Sequence, residues 1–301
     1  MNFDVSVVVL TYNSSWEKLK STLCSILSQQ EIKLEIIITD DGSVNHLNDD
    51  EIYKFFADNK FEHYKIVHAK KNGGTVKNLY NGLQYAKGRY TKAISPGDML
   101  YENMCLKNWI AFMDEHEIDI SFGDAVYYSN DNGDVATIQK KQAPVNKNVF
   151  TMDQRRKRVF INHIVADDSI LGATLIMNTQ IMMCYVKRIM NKVVYAEDYM
   201  TKLMVFDGKK LIYYPQPVIY YEYGYGISTN NNKVWLERLL NDFNAINSII
   251  SESDTCCDKI AEKYKGYLHL ANKHTKLKKI YKVFLFPNFV YWKWKVKTTK
   301  Y

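Results

Sequence analysis

Short apolar runs rich in β-branched residues alternate along this chain with stretches in which apolar positions recur every third or fourth residue. The first run, Val5 to Leu10, reads as a buried strand. Ser14 with Glu17 three positions on makes a capping box, and Trp16, Leu19, Leu23, Ile26 and Leu27 follow at helical spacing. Leu34 to Ile38 gives a second strand, so the chain opens with a strand, helix, strand unit whose crossover is right-handed. A short helix around Ile52, Phe55 and Phe56 comes next, then a strand over Tyr64–His68. A helix from Thr75 to Ala86 should stop near Gly88, ahead of a strand over Tyr90–Ile94. The pattern predicts an α/β domain with a Rossmann-like, mostly parallel sheet flanked by helices.

The second half is less regular. A helix is expected over Asn103–His116, a strand over Ile118–Tyr128, and a hairpin turn at Asp131, Asn132 and Gly133. Lys140–Gln154 reads as an irregular connection, Arg155–Arg158 as a solvated basic helix face, and Ala173–Met177 as a strand. A helix over Tyr195–Phe206 opens with Glu197 and Asp198. Leu211–Tyr223 is aromatic and extended, and Pro215 and Pro217 exclude it from a central strand. Gly224, Gly226, Ser228 and an asparagine run then make a flexible loop suited to a lid, before helices over Val234–Ile250 and Cys257–Leu270. The expected organisation is a first half over 1–110, a second half of the same domain over 111–232, and a C-terminal helical extension over 233–301.

The chemistry gathers at one edge of the sheet. Asp40 and Asp41 emerge from the carboxyl end of the second strand, where open α/β sheets bind ligands. An Asp-Gly turn with a capping aspartate would account for that pair alone. The crossover, however, brings the Thr11–Asn13 loop to the same edge, and Ser95-Pro96-Gly97-Asp98, a type II turn by composition, delivers a third acid there. Three strand ends bringing polar and acidic groups to one rim make a site. No GxGxxG follows the first strand, which argues against a dinucleotide fold. Glu197 and Asp198, taken alone, only oppose a helix macrodipole.

Composition adds a boundary. The chain has 301 residues, 47% of them apolar, enough for one large domain with an appendage. Its net charge of +7 is uneven: nine lysines lie between Lys273 and Lys300 without an acid, interleaved with Phe284, Phe289, Tyr291, Trp292 and Trp294. Such a tail suits either a membrane surface or a helix packed on the domain with its lysines solvated. No nucleic-acid motif is present. Five cysteines without CxxC spacing make no disulfide framework and point to a reducing cytoplasm, with peripheral attachment to the inner face of a membrane as the variant the tail allows. MNFDVSVVVL enters a strand directly, with no basic leader or cleavage site.

In order, VSVVVLTYN, LSQQ, EIIITDDGS, KNGGTVKN, GRYTKAISPGD, AEDYM and YYEYGYGIST resemble glycosyltransferase family 2, the inverting enzymes with a GT-A fold that use nucleotide sugars. The resemblance covers residues 5 to about 230 and stops before the tail. It implies that Thr11, Tyr12 and Asn13 lie at the nucleotide, that Asp41 accepts the uracil imide hydrogen, and that Asp40 shapes the base pocket. Lys77 stands where the family often has an arginine near the base or phosphates. Asp98 matches the last acid of the metal motif, which here reads Ser95, Pro96, Gly97, Asp98 and so keeps one carboxylate for Mn²⁺ or Mg²⁺. In AEDYM, Asp198 would be the catalytic base with Glu197 beside it.

The implied reaction moves a sugar from a UDP-sugar to an acceptor hydroxyl of a growing glycan, on a lipid carrier or a protein. A nucleotidyltransferase would carry a glycine-rich basic loop after the first strand, which TYNSS is not. The reduced metal motif favours the other alternative, a non-catalytic nucleotide-sugar-binding or scaffold protein. The aromatic C-terminal helices could also bury against a second copy as a homodimer.

Overall fold

The computed structural model describes residues 3–44, 48–131, 134–224, 233–254 and 256–299. Its strands are β1 (Val5–Thr11), β2 (Leu34–Asp40), β3 (Tyr64–His68), β4 (Tyr90–Ile94), β5 (Met99–Leu100), β6 (Ile120–Asp131), β7 (Asp134–Thr137), β8 (Leu175–Asn178) and β9 (Ile212–Glu222). They form one sheet in the order β3-β2-β1-β4-β8-β6-β9-β5, with β7 paired to β6. β3, β2, β1 and β4 run parallel, β8 is antiparallel to both its neighbours, and β9 returns parallel to β6.

Every residue of β1 and β2 is buried, because helices cover both faces of the sheet. Val7, Val9, Ile36 and Ile38 face one layer, formed by α1 (Trp16–Leu27), α2 (Asp49–Asp58) and α4 (Cys105–Glu115). Val8, Leu10 and Ile37 face the other, which includes α3 (Thr75–Leu83), α6 (Thr179–Ile189) and α7 (Met200–Phe206). Ahead of β8 and α6 in the chain, a short α5 (Arg156–Phe160) runs into a π-helical turn over Ile161–Val165. The C-terminal extension contributes α8 (Lys233–Glu252), α9 (Lys259–Lys273), α10 (Lys278–Leu285) and α11 (Phe289–Thr298). Among the described residues no helix is long and apolar enough to cross a membrane.

Several local expectations change. The cap of α1 is Ser15, whose side chain accepts from the Lys18 N–H, not Ser14. α3 stops at Leu83, and Gly88 instead enters β4, where a Cβ would lie 2.3 Å from Ser6 N. Arg156 is not a solvated charge: its guanidinium pairs with Asp258 and donates to the Val205 and Phe206 carbonyls, tying α9 to the end of α7. β9 does lie inside the sheet order, yet it pairs with β5 only at Ile219 and Tyr220, beyond its prolines. Asn132, Gly133 and the lid residues Gly226 and Ser228 lie outside the described residues.

Candidate active site

The carboxyl ends of β1, β2 and β3 bring Thr11, Asp40 and His68 into register. Asp40 is buried, with Oδ1 accepting from the Ser43 and Thr11 hydroxyls and Oδ2 from the Ser43 N–H at 3.1 Å. Burial works against its charge, but the Ser43 bonds prevail and hold its carboxyl below the usual range. Asp40 therefore braces the loop as an anion. Asn13 adopts a left-handed φ of 48° and locks onto the same loop, its N–H donating to Ser43 Oγ and its Oδ1 accepting from the Val44 N–H. Tyr12 stands exposed beside it.

Asp41 faces the neighbouring loop. Its two oxygens accept from the N–H groups of Gly73 and Gly74, both at 2.8 Å. Burial raises its pKa, opposed by those two bonds, and Asp40 adds to the rise. An ionised carboxylate keeps further lone pairs, so these contacts leave room for one more donor. Lys77, exposed in the first turn of α3, is close enough for its charge to favour ionised Asp41.

Asp98 lies at a second position on the rim. The Gly97 φ of 101° and a 3.0 Å bond from the Asp98 N–H to the Ser95 carbonyl make the expected type II turn. Asp98 is buried, and its Oδ1 accepts from the Glu222 N–H at 3.1 Å. Glu222, at the end of β9, is also buried and is paired with Lys18 at 2.7 Å. Burial pushes Asp98 up to about 7, and the nearby Glu222 charge adds to the rise while Lys92 and Lys18 oppose it.

A divalent ion is the natural relief for such a carboxylate, so the donor set fits Mn²⁺ or Mg²⁺ held by Asp98, with substrate and water supplying other ligands. Among the described residues no group of three or more His, Cys, Asp or Glu side chains is arranged to hold a metal. Any ion there depends on the substrate's own oxygens.

Glu197 and Asp198 form a one-turn 3₁₀ helix ahead of α7, in place of the regular helical start expected at Tyr195. Both are half-buried against Gly172, where an added Cβ would lie 2.8 Å from Glu197 Oε1 and 3.2 Å from Asp198 Cβ. Burial raises both pKa values, and the charge of Asp198 lifts Glu197 further. Lys202 beside Asp198 opposes the rise there. Lys202 is itself buried, ion-paired with Asp167 and stacked over the Tyr199 and Phe243 rings.

Two connections join these groups. Lys92, fully buried in β4, donates to the Ala93 and Ala173 carbonyls at 2.7 Å and feels the charges of both Asp98 and Glu197. The Val76 N–H donates to the Val194 carbonyl, and Gly74 lies so close to Val194 that a Cβ would meet its carbonyl oxygen at 2.5 Å. The loop that holds Asp41 thus abuts the segment leading to Glu197.

Sequence reasoning missed Lys92, Glu222, Ser43 and Asp242. The first was visible as a lone lysine in an apolar strand. Asp242 falls within the apolar stripe of Leu239, Ile246 and Ile250 on α8 and accepts from the N–H groups of Val194, Tyr195 and Ala196. An acid in such a stripe signals a buried partner.

GlyG, a glycosyltransferase of Streptococcus pneumoniae, is 32% identical over 132 residues, 43% of this chain and 41% of its own length. GgaB, a minor teichoic acid biosynthesis protein of Bacillus subtilis, is 32% identical over 125 residues, 40% of this chain and 13% of its own. The chain thus spans less than half the length of these relatives. In fold it matches TarS of S. aureus, solved with UDP-GlcNAc, at a TM-score of 0.59 and 17% identity over 96% of this chain and 81% of that one. A mannosyltransferase of Pyrobaculum calidifontis solved with GDP-Man and Mn2+ matches at 0.59 and 12% identity, over 100% of this chain and 77% of that one. The "Glycosyl transferase family 2" model matches residues 6–172, more than half of the sequence, and the chain belongs to that family.

Proposed function

We propose that this protein transfers a sugar from a UDP-sugar to an acceptor hydroxyl of a growing bacterial surface glycan, with inversion at the anomeric carbon. The observation that supports the reading is the docking of Val194 on Gly74 and Val76 at the start of α3, which sets the segment leading to Glu197 and Asp198 against the loop that holds Asp41.

In this reading Thr11, Tyr12 and Asn13 border the nucleotide, and Asp41 accepts the base's imide hydrogen. Asp40 acts indirectly, by fixing Ser43 and Asn13. Lys77 offers charge to the base or phosphates. Asp98 would hold a divalent ion, which would supply Lewis-acid stabilisation to a leaving diphosphate. Asp198 takes the acceptor proton as the hydroxyl attacks from the face opposite the diphosphate, and its upward-shifted pKa makes it a better base than a solvent-exposed aspartate. Glu197, raised by burial and by the charge of Asp198, disfavours a second negative charge on the pair. A single in-line displacement gives a β-linked product from an α-linked donor.

Residues 1–110 would then serve the donor and 111–232 the acceptor. The similarity to GgaB, a minor teichoic acid biosynthesis protein, supports a surface-glycan acceptor, and the similarity to TarS solved with UDP-GlcNAc supports a UDP-sugar donor.

Calorimetric titration of UDP and GDP with and without Mn²⁺, followed by a hydrolysis screen of UDP-sugars, tests the proposal. Metal-dependent UDP binding with turnover of one donor is expected. Binding of neither nucleotide would overturn it.

A further inference from the structure

We propose that α10 and α11 form a membrane-docking surface that seats the protein on an anionic bilayer. These two helices are held to the domain by one face only. Tyr281, Leu285, Phe289 and Trp292 pack against the core, and Phe286, buried, sits against the rings of Tyr264 and Tyr267. On the opposite face of α10, Ile280, Val283 and Phe284 recur at helical spacing and stand exposed, Phe284 at 82% and Ile280 at 62%. On α11, Val290, Tyr291 and Trp294 do the same, with Trp294 at 59%.

Large apolar side chains exposed on two successive helices are what soluble surfaces avoid. The charge around them identifies the occupant. Lys276, Lys278, Lys279 and Lys297 are exposed, and the sequence from Lys273 to the end contains no acid. Rings that settle at headgroup depth, bordered by lysines that meet anionic lipid, describe an interfacial helix pair. A protein partner would have to bring acids of its own to meet these lysines, whereas an anionic bilayer supplies the charge and the apolar depth together.

The placement is functional as well as adhesive. Lys293 Nζ donates to the Ala166 carbonyl at 3.0 Å, and Lys141 Nζ to that of Val296 at 3.3 Å, so α11 is fixed to the segment that carries Asp167. Asp167 pairs with Lys202, whose charge reaches Asp198. α11 is thus linked through Ala166, Asp167 and Lys202 to the segment that carries Asp198.

Cosedimentation with vesicles of equal parts phosphatidylglycerol and phosphatidylcholine, against phosphatidylcholine alone, tests the assignment. The full chain should partition onto the anionic vesicles, release as salt is raised, and show a blue shift of tryptophan emission. Phe284→Glu with Trp294→Glu, and separately Lys278→Glu with Lys279→Glu, should each weaken partitioning roughly ten-fold or more while leaving the circular dichroism spectrum unchanged. Retention in the supernatant with anionic vesicles, or partitioning indifferent to both variants, would overturn the proposal. So would a lipid-free dimer that Phe284→Glu splits, since the strip would then be an interface between copies. The readout is partitioning, so its failure leaves the donor-site reading intact, and loss of UDP binding would leave this one intact.

Discussion

Asp242 Oδ2 accepts the backbone N–H of Ala196 at 2.9 Å, one residue before the Glu197–Asp198 pair. The same carboxylate takes the N–H groups of Val194 and Tyr195, so a residue of the C-terminal extension holds the backbone that presents both acids. Replacement by alanine leaves three backbone donors without this partner, of which the buried one, at Ala196, would cost about 1–3 kcal/mol and the two part-buried ones less. Asp242→Ala should therefore lower the denaturation midpoint and reduce kcat, with nucleotide affinity nearly unchanged. Urea unfolding beside UDP titration checks this. Equal loss of UDP affinity would show that Asp242 supports the donor side instead.

Asp198→Asn keeps the side-chain shape and the contact with Gly172 but cannot take a proton. Transfer should fall by about 10²- to 10⁴-fold, the usual worth of a general base, while UDP binds as before. Glu197→Gln should cost less, since in this reading Asp198 is the base and Glu197 only shapes the charge on its neighbour. Single-turnover transfer rates for the two variants distinguish these roles. A larger loss for Glu197→Gln would exchange the assignments.

Much of this site was legible in the sequence because its parts sit at the ends of regular elements. β1, β2 and β3 announce themselves by apolar runs, and right-handed crossover then dictates that Thr11 and Asp40 share an edge. The Ser95–Asp98 turn was readable because proline followed by glycine suits one turn type. Contacts between distant elements were not. Nothing local places Glu222 on Asp98, which lies 124 residues earlier, or Lys18 on Glu222, 204 residues apart. The same holds for Arg156, read as a solvated charge but fixed by Asp258, and for the Ser15 cap, where two adjacent serines gave local pattern no way to choose.

Gly74 shows how tightly the two halves of the site interlock. Its φ of 88° is one that L side chains rarely adopt, and an added Cβ would lie 2.4 Å from Val194 Cγ1. Gly74→Ala should cost roughly 1–3 kcal/mol through backbone strain and push the Val194 segment away. Thermal melts and transfer rates should both fall. Adding Val194→Gly removes the side-chain clash but not the strain or the clash with the Val194 carbonyl, so only partial recovery is expected. Full activity in Gly74→Ala alone would mean that the contact does not position the acids.

In the proposed reading Asp98 links pH to metal use. With its carboxyl pushed up to about 7 by burial, it holds a proton in the folded state at pH values where an unfolded aspartate, near 3.8, has lost it. The folded form therefore binds more protons between those values, and the stability this group contributes is full below about 4 and lost as pH rises through about 7. A metal competes for the same carboxylate. Mn²⁺-dependent UDP binding should accordingly be weak at pH 6 and strengthen steadily to pH 8, with release of up to one proton per ion bound near pH 7. Asp98→Asn should remove both the metal dependence and the pH slope, and should raise the melting temperature at pH 8, where the parent buries a charged carboxylate beside Glu222. Calorimetry in two buffers of different ionisation enthalpy measures the proton directly. Release that persists in Asp98→Asn would assign the titrating group elsewhere on the rim.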